Sequence, residues 1–186
     1  KIMFNDRYGL TDAVIEGRKI MTRRIIIPQP DFLSDNFGWA KRNNGDVILP
    51  KYGVDEVVAV AQSYEAAGFD PEYSIEGMLY AKKHAGWRNK MFVSAKYMSH
   101  RIRITGIKCE RLQDISDEDC FREGISESWY ESTDTTTYGY ADEKKGTAVE
   151  FDTPRKAFAA LIDKVSGRGT WASNPWVVVY EFELVK

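Results

Sequence analysis

Cysteine is scarce in this sequence, which excludes a disulfide framework. The 186 residues include two cysteines, Cys109 and Cys120, which lie eleven positions apart without a second pair. A structural zinc site needs about four ligands at closer spacing. The two histidines, His84 and His100, have no partner at such a spacing. We therefore expect no metal, no cofactor and a reducing, cytoplasmic location.

Long hydrophobic runs are also missing. Alanine aside, the longest run of aliphatic and aromatic residues covers only 176–180. A transmembrane helix needs roughly 20 apolar residues. The first residues, from Lys1 onward, are mixed and polar, unlike the apolar segment of a secretory signal. These features predict no membrane partner.

The sequence lacks a strong net charge, because 26 Lys and Arg face 28 Asp and Glu, for a formal charge of −2. The charge is unevenly distributed. Residues 80–111 carry nine basic residues against one acid, a net of +8, and residues 112–152 carry twelve acids against three basic residues, a net of −9. Such blocks are commonly two solvated or facing surfaces. The alternative is a basic groove beside an acidic flap.

Composition and local patterns predict one folded domain over 1–186. Hydrophobic residues make up 43% and charged residues 29% of the chain, which is ordinary globular usage. Local signals predict helices at 11–16, 71–83, 116–122 and 153–166, and strands at 21–27, 47–49, 56–61, 101–105 and 175–184. Strands and helices alternate irregularly, which favours an α+β fold, with a mixed β-barrel or sheet and helices outside it.

Two segments lack a usable period and are predicted to be loops. Residues 31–46 are rich in Asn, Gly, Asp and other charged residues, and residues 126–150 in Thr, Tyr, Gly and acids. A loop as long as 126–150 is usually functional or mobile. A protein-interaction role for this excursion is one hypothesis.

The densest group of chemically active side chains is the string from Gly17 to Arg24, at the predicted joint between helix and strand. Strand alternation puts Thr22 and Arg24 on one face and Arg23 on the other. Lys19, on the preceding turn, can reach toward Thr22. A solvated basic turn is the competing interpretation, because short basic patterns give many false positives.

This string, with Gly17, Lys19, Thr22 and Arg24 at matching positions, resembles the Gly-x-Lys-x-x-Glu-x-Arg signature of the ASCH superfamily, with Thr22 in place of the glutamate. The resemblance continues through 101–125 and through 171–185, as in phage-associated and bacterial members. It implies a PUA-like β-barrel with flanking helices. It also implies a cleft, without a particular substrate. From the matched string and the basic block we expect this cleft to bind RNA, a nucleotide or a modified nucleoside, with Arg18, Lys19, Thr22, Arg24 and Trp171 as binding residues.

One bacterial branch of the superfamily hydrolyses N4-acetylcytidine, with a lysine and a threonine in a similar string and a later glutamate. Matching its motif to this chain implies Lys19, Thr22 and Glu123 as catalytic residues. That branch is much shorter and lacks counterparts of 31–46, 65–90 and 126–150. The sequence thus leaves two functions open, nucleoside or RNA binding and amide hydrolysis.

Physical chemistry sets the condition for the hydrolase interpretation. A threonine hydroxyl needs a neighbouring base, and Lys19 serves only if its pKa falls well below the usual value of about 10.4. Burial and nearby cations lower it, whereas Glu123 nearby raises it. Alternatively, Lys19 and Arg24 bind a phosphate or carboxylate. For Trp171, stacking on a base and packing in the core are both open.

Overall fold

The central element of the fold is a four-stranded antiparallel sheet with strand order β1-β10-β6-β5. The computed structural model describes residues 1–34, 40–69 and 85–185. Its central strands are β1 (Met21–Ile25), β5 (Val57–Ala59), β6 (Arg101–Arg111) and β10 (Trp176–Val185). The fold is α+β, as expected. Within the described ranges no pairing joins β1 to β5, so the sheet is open and the predicted closed barrel is not found.

Two smaller antiparallel sheets include residues of the two predicted loops, four residues of 31–46 and most of 126–150. Strands β2 (Phe32–Leu33), β3 (Ala40–Lys41) and β4 (Val47–Ile48) form one. Strands β7 (Ser126–Tyr130), β8 (Thr135–Asp142) and β9 (Thr147–Phe151) form the other. The prediction of a loop over 126–150 was therefore wrong. Its Thr and Tyr residues favour strands, and the turns between them obscure any helical or alternating period.

Helices pack around the central sheet. They are α1 (Leu10–Ile15), α2 (Asp117–Arg122), α3 (Pro154–Ser166) and α4 (Thr170–Ser173), with 3₁₀ turns at Asp6–Tyr8, Lys90–Phe92, Ala95–Tyr97 and Leu112–Asp114. Ser116 and Thr153 cap α2 and α3 as predicted, each accepting a backbone N–H three residues on. The predicted helix at 71–83 lies outside the described residues. No helix in the described segments is long and apolar enough to cross a bilayer.

The core lies between the sheet and α3. The centre of β10, residues 177–180, is fully buried, as the apolar sequence predicts. Phe158, Leu161 and Ile162 form the buried face of α3, whereas Val165, about one turn further on, is exposed. It lines a cavity between α3 and the start of β1.

Candidate active site

Lys19 is positioned by the end of α1. Gly17 adopts a left-handed conformation with φ of +75°, which a residue with a Cβ takes at a cost. The chain then turns back, and the backbone N–H of Lys19 donates to the Ala13 carbonyl at 2.8 Å. The next residue, Ile20, donates to the carbonyl of Arg122 at 3.0 Å. The Lys19 side chain is thereby directed toward the end of α2.

Glu123 lies at the end of α2, where its backbone N–H donates to Asp119. Gly124 follows with φ of +103°, so the chain turns close to α1. A Cβ at Gly124 would lie 3.3 Å from Leu10 Cδ2 and 3.6 Å from Lys19 Cδ. The glycine thus permits the Glu123 backbone to approach Lys19.

Lys19 and Glu123 form a buried pair across 104 sequence positions. Lys19 Nζ donates to Glu123 Oε2 and to the Glu123 carbonyl oxygen, each at 2.6 Å. The Lys19 side chain is 2% exposed. Two of the three donor positions of the ammonium are thus used, which leaves one for another partner.

Arg23 holds the other carboxylate oxygen of Glu123. Its Nη1 donates to Glu123 Oε1 at 3.2 Å, and its guanidinium also pairs with Glu110 at 2.7 Å and Asp119 at 2.6 Å. The side chain of Arg23 is fully buried. Burial lowers the pKa of Arg23, but the three carboxylates outweigh burial and raise it. Arg23 therefore remains a cation that fixes the Glu123 carboxylate.

A cavity of about 140 Å³ brings the predicted catalytic residues together. Lys19, Thr22, Arg24 and Glu123 all line it, beside apolar residues of α3. Thr22 is buried on β1, and it lines this cavity together with Lys19 and Glu123. A hydroxyl in the lining of a cavity can donate a hydrogen bond to a ligand there or accept one from it.

Burial decides the protonation balance of Lys19. Loss of hydration lowers its pKa, the Glu123 carboxylate opposes this, and Arg24 and Arg23 lower it further. The overall direction is down. Arg24 is also largely buried, which lowers its pKa despite the nearby Glu123. Its guanidinium donates to the Met3 carbonyl and lies 5.5 Å from the centre of the Phe4 ring.

Two residues of the predicted site lie elsewhere. Arg18 is exposed and pairs with Glu16 at 2.5 Å, because the turn after α1 directs it to solvent. Trp171 is in α4 and packs edge-on against Phe158, with Arg155 over its ring. Neither residue lines the cavity. Core packing was the alternative interpretation of Trp171, and the contacts match it.

The basic segment 80–111 also does not form the predicted cleft. None of its described residues lines the cavity around Lys19. Arg101 and Arg103 share the exposed face of β6, as their alternation predicts. Lys90 is buried instead, where its ammonium contacts Asp6 at 2.5 Å and Thr11 at 3.0 Å.

Sequence reasoning missed the carboxylates that surround Arg23. It treated Arg23 only as a nearby cation, whereas Glu110 and Asp119 reach it from 87 and 96 positions away. The Asp119 carboxylate, in the first turn of α2, binds both Arg23 and Arg122. No local spacing signals such long-range contacts.

Within the described residues, no group of three or more His, Cys, Asp or Glu side chains is placed to hold a metal ion. Comparisons with protein-family models, curated proteins and solved structures found no match for this chain. The ASCH resemblance therefore remains a prediction from the motif residues.

Proposed function

We propose that this protein places the N-acyl amide of a modified nucleoside in the Lys19 cavity and hydrolyses it, with N4-acetylcytidine as the first candidate substrate. The observation that supports this proposal is the buried contact of 2.6 Å between Lys19 and Glu123, in a cavity that Thr22 also lines. A nucleophile, a base and a positioning carboxylate are the parts that acyl transfer requires.

The proposed reaction has two steps. Neutral Lys19 Nζ accepts the hydroxyl proton of Thr22 as its oxygen attacks the amide carbon. The carbon–nitrogen bond then breaks, and the departing amine takes that proton from Lys19. Water attacks the resulting Thr22 ester and gives a proton to Lys19, which returns it to the Thr22 oxygen. The products are the free amine and a carboxylic acid.

The lowered pKa of Lys19 supports its role as the base, because only the neutral amine accepts a proton. Glu123 acts as a positioning residue, since it fixes the lysine nitrogen through two hydrogen bonds. A phosphate-binding role receives less support, because Lys19 Nζ already donates to two oxygens of Glu123, and the Arg24 guanidinium donates to the Met3 carbonyl.

We also propose a PUA-like relationship for the fold. The antiparallel central sheet with helices packed around it supports this proposal. The open edge between β1 and β5 in the described residues counts against a closed barrel.

The test is turnover of N4-acetylcytidine, followed by chromatographic detection of cytidine. We expect release by the wild-type protein and a loss of at least about 100-fold for Thr22→Val and Lys19→Met, because each removes a group that moves in the reaction. Thr105→Val is the matched control, since Thr105 is an exposed threonine on β6. Turnover retained by Thr22→Val contradicts the mechanism. Binding of N4-acetylcytidine without any turnover contradicts hydrolysis and leaves the binding role.

A further inference from the structure

A second, larger cavity adjoins the candidate active site. It has a volume of about 350 Å³ and lies against β1, β10 and the segment after β4. Met3, Arg24 and Ile25 line both this cavity and the one around Lys19. The two cavities therefore share part of their lining at Arg24.

The sizes of the two cavities indicate that a ligand extends from one into the other. Ligand pockets commonly have volumes of about 300–1,000 Å³. The cavity around Lys19, at about 140 Å³, falls below that range and suits an amide and a few attached atoms. The larger cavity supplies the space for the remaining part of the substrate.

The larger cavity is lined by aliphatic and aromatic side chains and by three cations, Lys1, Arg24 and Lys51. Lys1 Nζ donates to three backbone carbonyls, and Lys51 Nζ lies 5.3 Å from the centre of the Tyr52 ring. The Tyr52 hydroxyl donates to the Lys1 carbonyl, and the Tyr180 hydroxyl accepts from the Lys51 backbone N–H, both at 2.9 Å. Arg24 donates to Met3. A sugar there would lose hydration at its hydroxyl groups without equivalent partners, which is unfavourable.

The larger cavity offers aromatic and aliphatic side chains on which a flat ring could pack. The rings of Tyr52 and Tyr180 meet edge to face with centroids 5.4 Å apart, and their hydrogen bonds fix their orientation. At the mouth, Ile27 is 84% exposed and Leu49 74% exposed. Such adjacent exposed apolar side chains commonly mark a binding surface.

We propose that the larger cavity binds an apolar aromatic ring attached to the scissile amide, so that the protein prefers N-aryl or N-aroyl amides to their methyl counterparts. This inference rests on the proposed function for the placement of the amide at Thr22. It adds a second subsite and a substrate class, amides that carry an aromatic ring beyond Arg24.

The turnover experiment compares ring-bearing substrates with methyl-bearing ones. In the first pair, N4-benzoylcytidine and N4-acetylcytidine, the ring is on the acyl side of the amide. In the second pair, acetanilide and N-methylacetamide, the ring is on the amine side. One methylene group in an apolar pocket gives about 10- to 200-fold discrimination. We therefore expect the ring to raise kcat/KM by at least about tenfold in one of the pairs. Aniline leaves an amide more readily than methylamine does, so the affinities measured below identify the side of the amide that enters the cavity.

The variants test whether the preference depends on the cavity mouth. Ile27→Ser with Leu49→Ser should reduce the ring-to-methyl ratio at least about fivefold, because it removes apolar contact area. The matched control is Val54→Ser with Met91→Ser, since both residues are more than half exposed and neither lines the cavity. An equal reduction by the control, or no ring preference in either pair, overturns the inference.

Binding separates this inference from the proposed function. With the Thr22→Val protein, calorimetry should show that N4-benzoylcytidine or acetanilide binds at least about tenfold more tightly than its methyl counterpart, and that the mouth variant loses this difference. If that result holds and the wild-type protein hydrolyses no amide, the proposed function fails and the subsite stands. Equal affinities for ring and methyl compounds refute the subsite, whether or not turnover occurs.

Discussion

Replacement of Glu123 by glutamine tests the buried pair at the site. The side chain keeps its size, but the Lys19 ammonium, 2% exposed, loses its counter-charge. Removal of one partner of a buried ion pair costs about 3–5 kcal/mol. For a protein of this length, each kcal/mol lowers Tm by about 2–4 °C. We therefore expect Tm to fall by roughly 6–20 °C.

The loss of stability in Glu123→Gln should depend on pH. Glu123 raises the pKa of Lys19 against the larger effect of burial, so its removal lowers the folded-state pKa further. At pH values between this lowered pKa and the Lys19 pKa of about 10.4 in the unfolded chain, the unfolded chain binds more protons than the folded protein. The stability of the variant should thus increase as pH rises through this interval. Calorimetric scans from neutral to alkaline pH measure this slope.

Two comparisons make the result specific to the pair. Glu118→Gln is the matched control, because Glu118 is an exposed acid on the same helix, α2, and we expect a change within about 0.5 kcal/mol. Lys19→Met combined with Glu123→Gln removes both charges and should lose less than the sum of the single variants, by about 0.5–3 kcal/mol. Additive losses, or an unchanged Tm in Glu123→Gln, refute the reasoning.

Four further predictions concern the surroundings of the pair. Arg23→Met leaves three carboxylates without their shared cation. We expect urea titrations to show a free energy of unfolding lower by about 3–5 kcal/mol. A loss below about 1 kcal/mol would contradict a stabilising role for this network. Burial disfavours ionised Asp119, but Arg23 and nearby cations outweigh it and lower its pKa. The stability that ionised Asp119 contributes should be complete at pH values above its pKa in the unfolded chain, about 3.9, and should disappear as the pH falls through its lower pKa in the folded protein. Asp119→Asn should remove this part of the acid dependence of stability. Gly124→Ala should cost about 1–3 kcal/mol because of its positive φ and the tight contact with Leu10, and equal stability of the wild type and this variant would count against the strain. Burial raises the pKa of Cys120 to about 12, so thiol titration at pH 8 should detect Cys120 only after unfolding.

Local signals predicted the elements that frame the site. Gly17 ends α1, and Thr153 with Pro154 begins α3, because caps and backbone conformations act over a few residues. Strand β10 was predictable from its β-branched residues. Strand β8 was missed although Thr and Tyr favour strands, since its pairing with β7 and β9 determines its structure more than any period does.

The chemistry of the site was predictable only in part. The string from Gly17 to Arg24 identified Lys19 and Thr22, and the family resemblance indicated Glu123. Whether the pKa of Lys19 rises or falls depends on two opposing effects, the loss of hydration on burial and the attraction of the Glu123 carboxylate. Both effects are set by the tertiary structure. Basic composition was misleading, because a segment with excess positive charge can place its side chains on several different faces.

The identity of the nucleophile can be measured by peptide mass spectrometry of the protein quenched with acid during turnover of N4-acetylcytidine. The lifetime of a Thr22 ester is limited by its hydrolysis, so rapid quenching increases the amount that is trapped. We predict one acyl group, attached to Thr22, and none in Thr22→Val. An acyl group on another residue, or acylation that persists in Thr22→Val, would contradict Thr22 as the nucleophile.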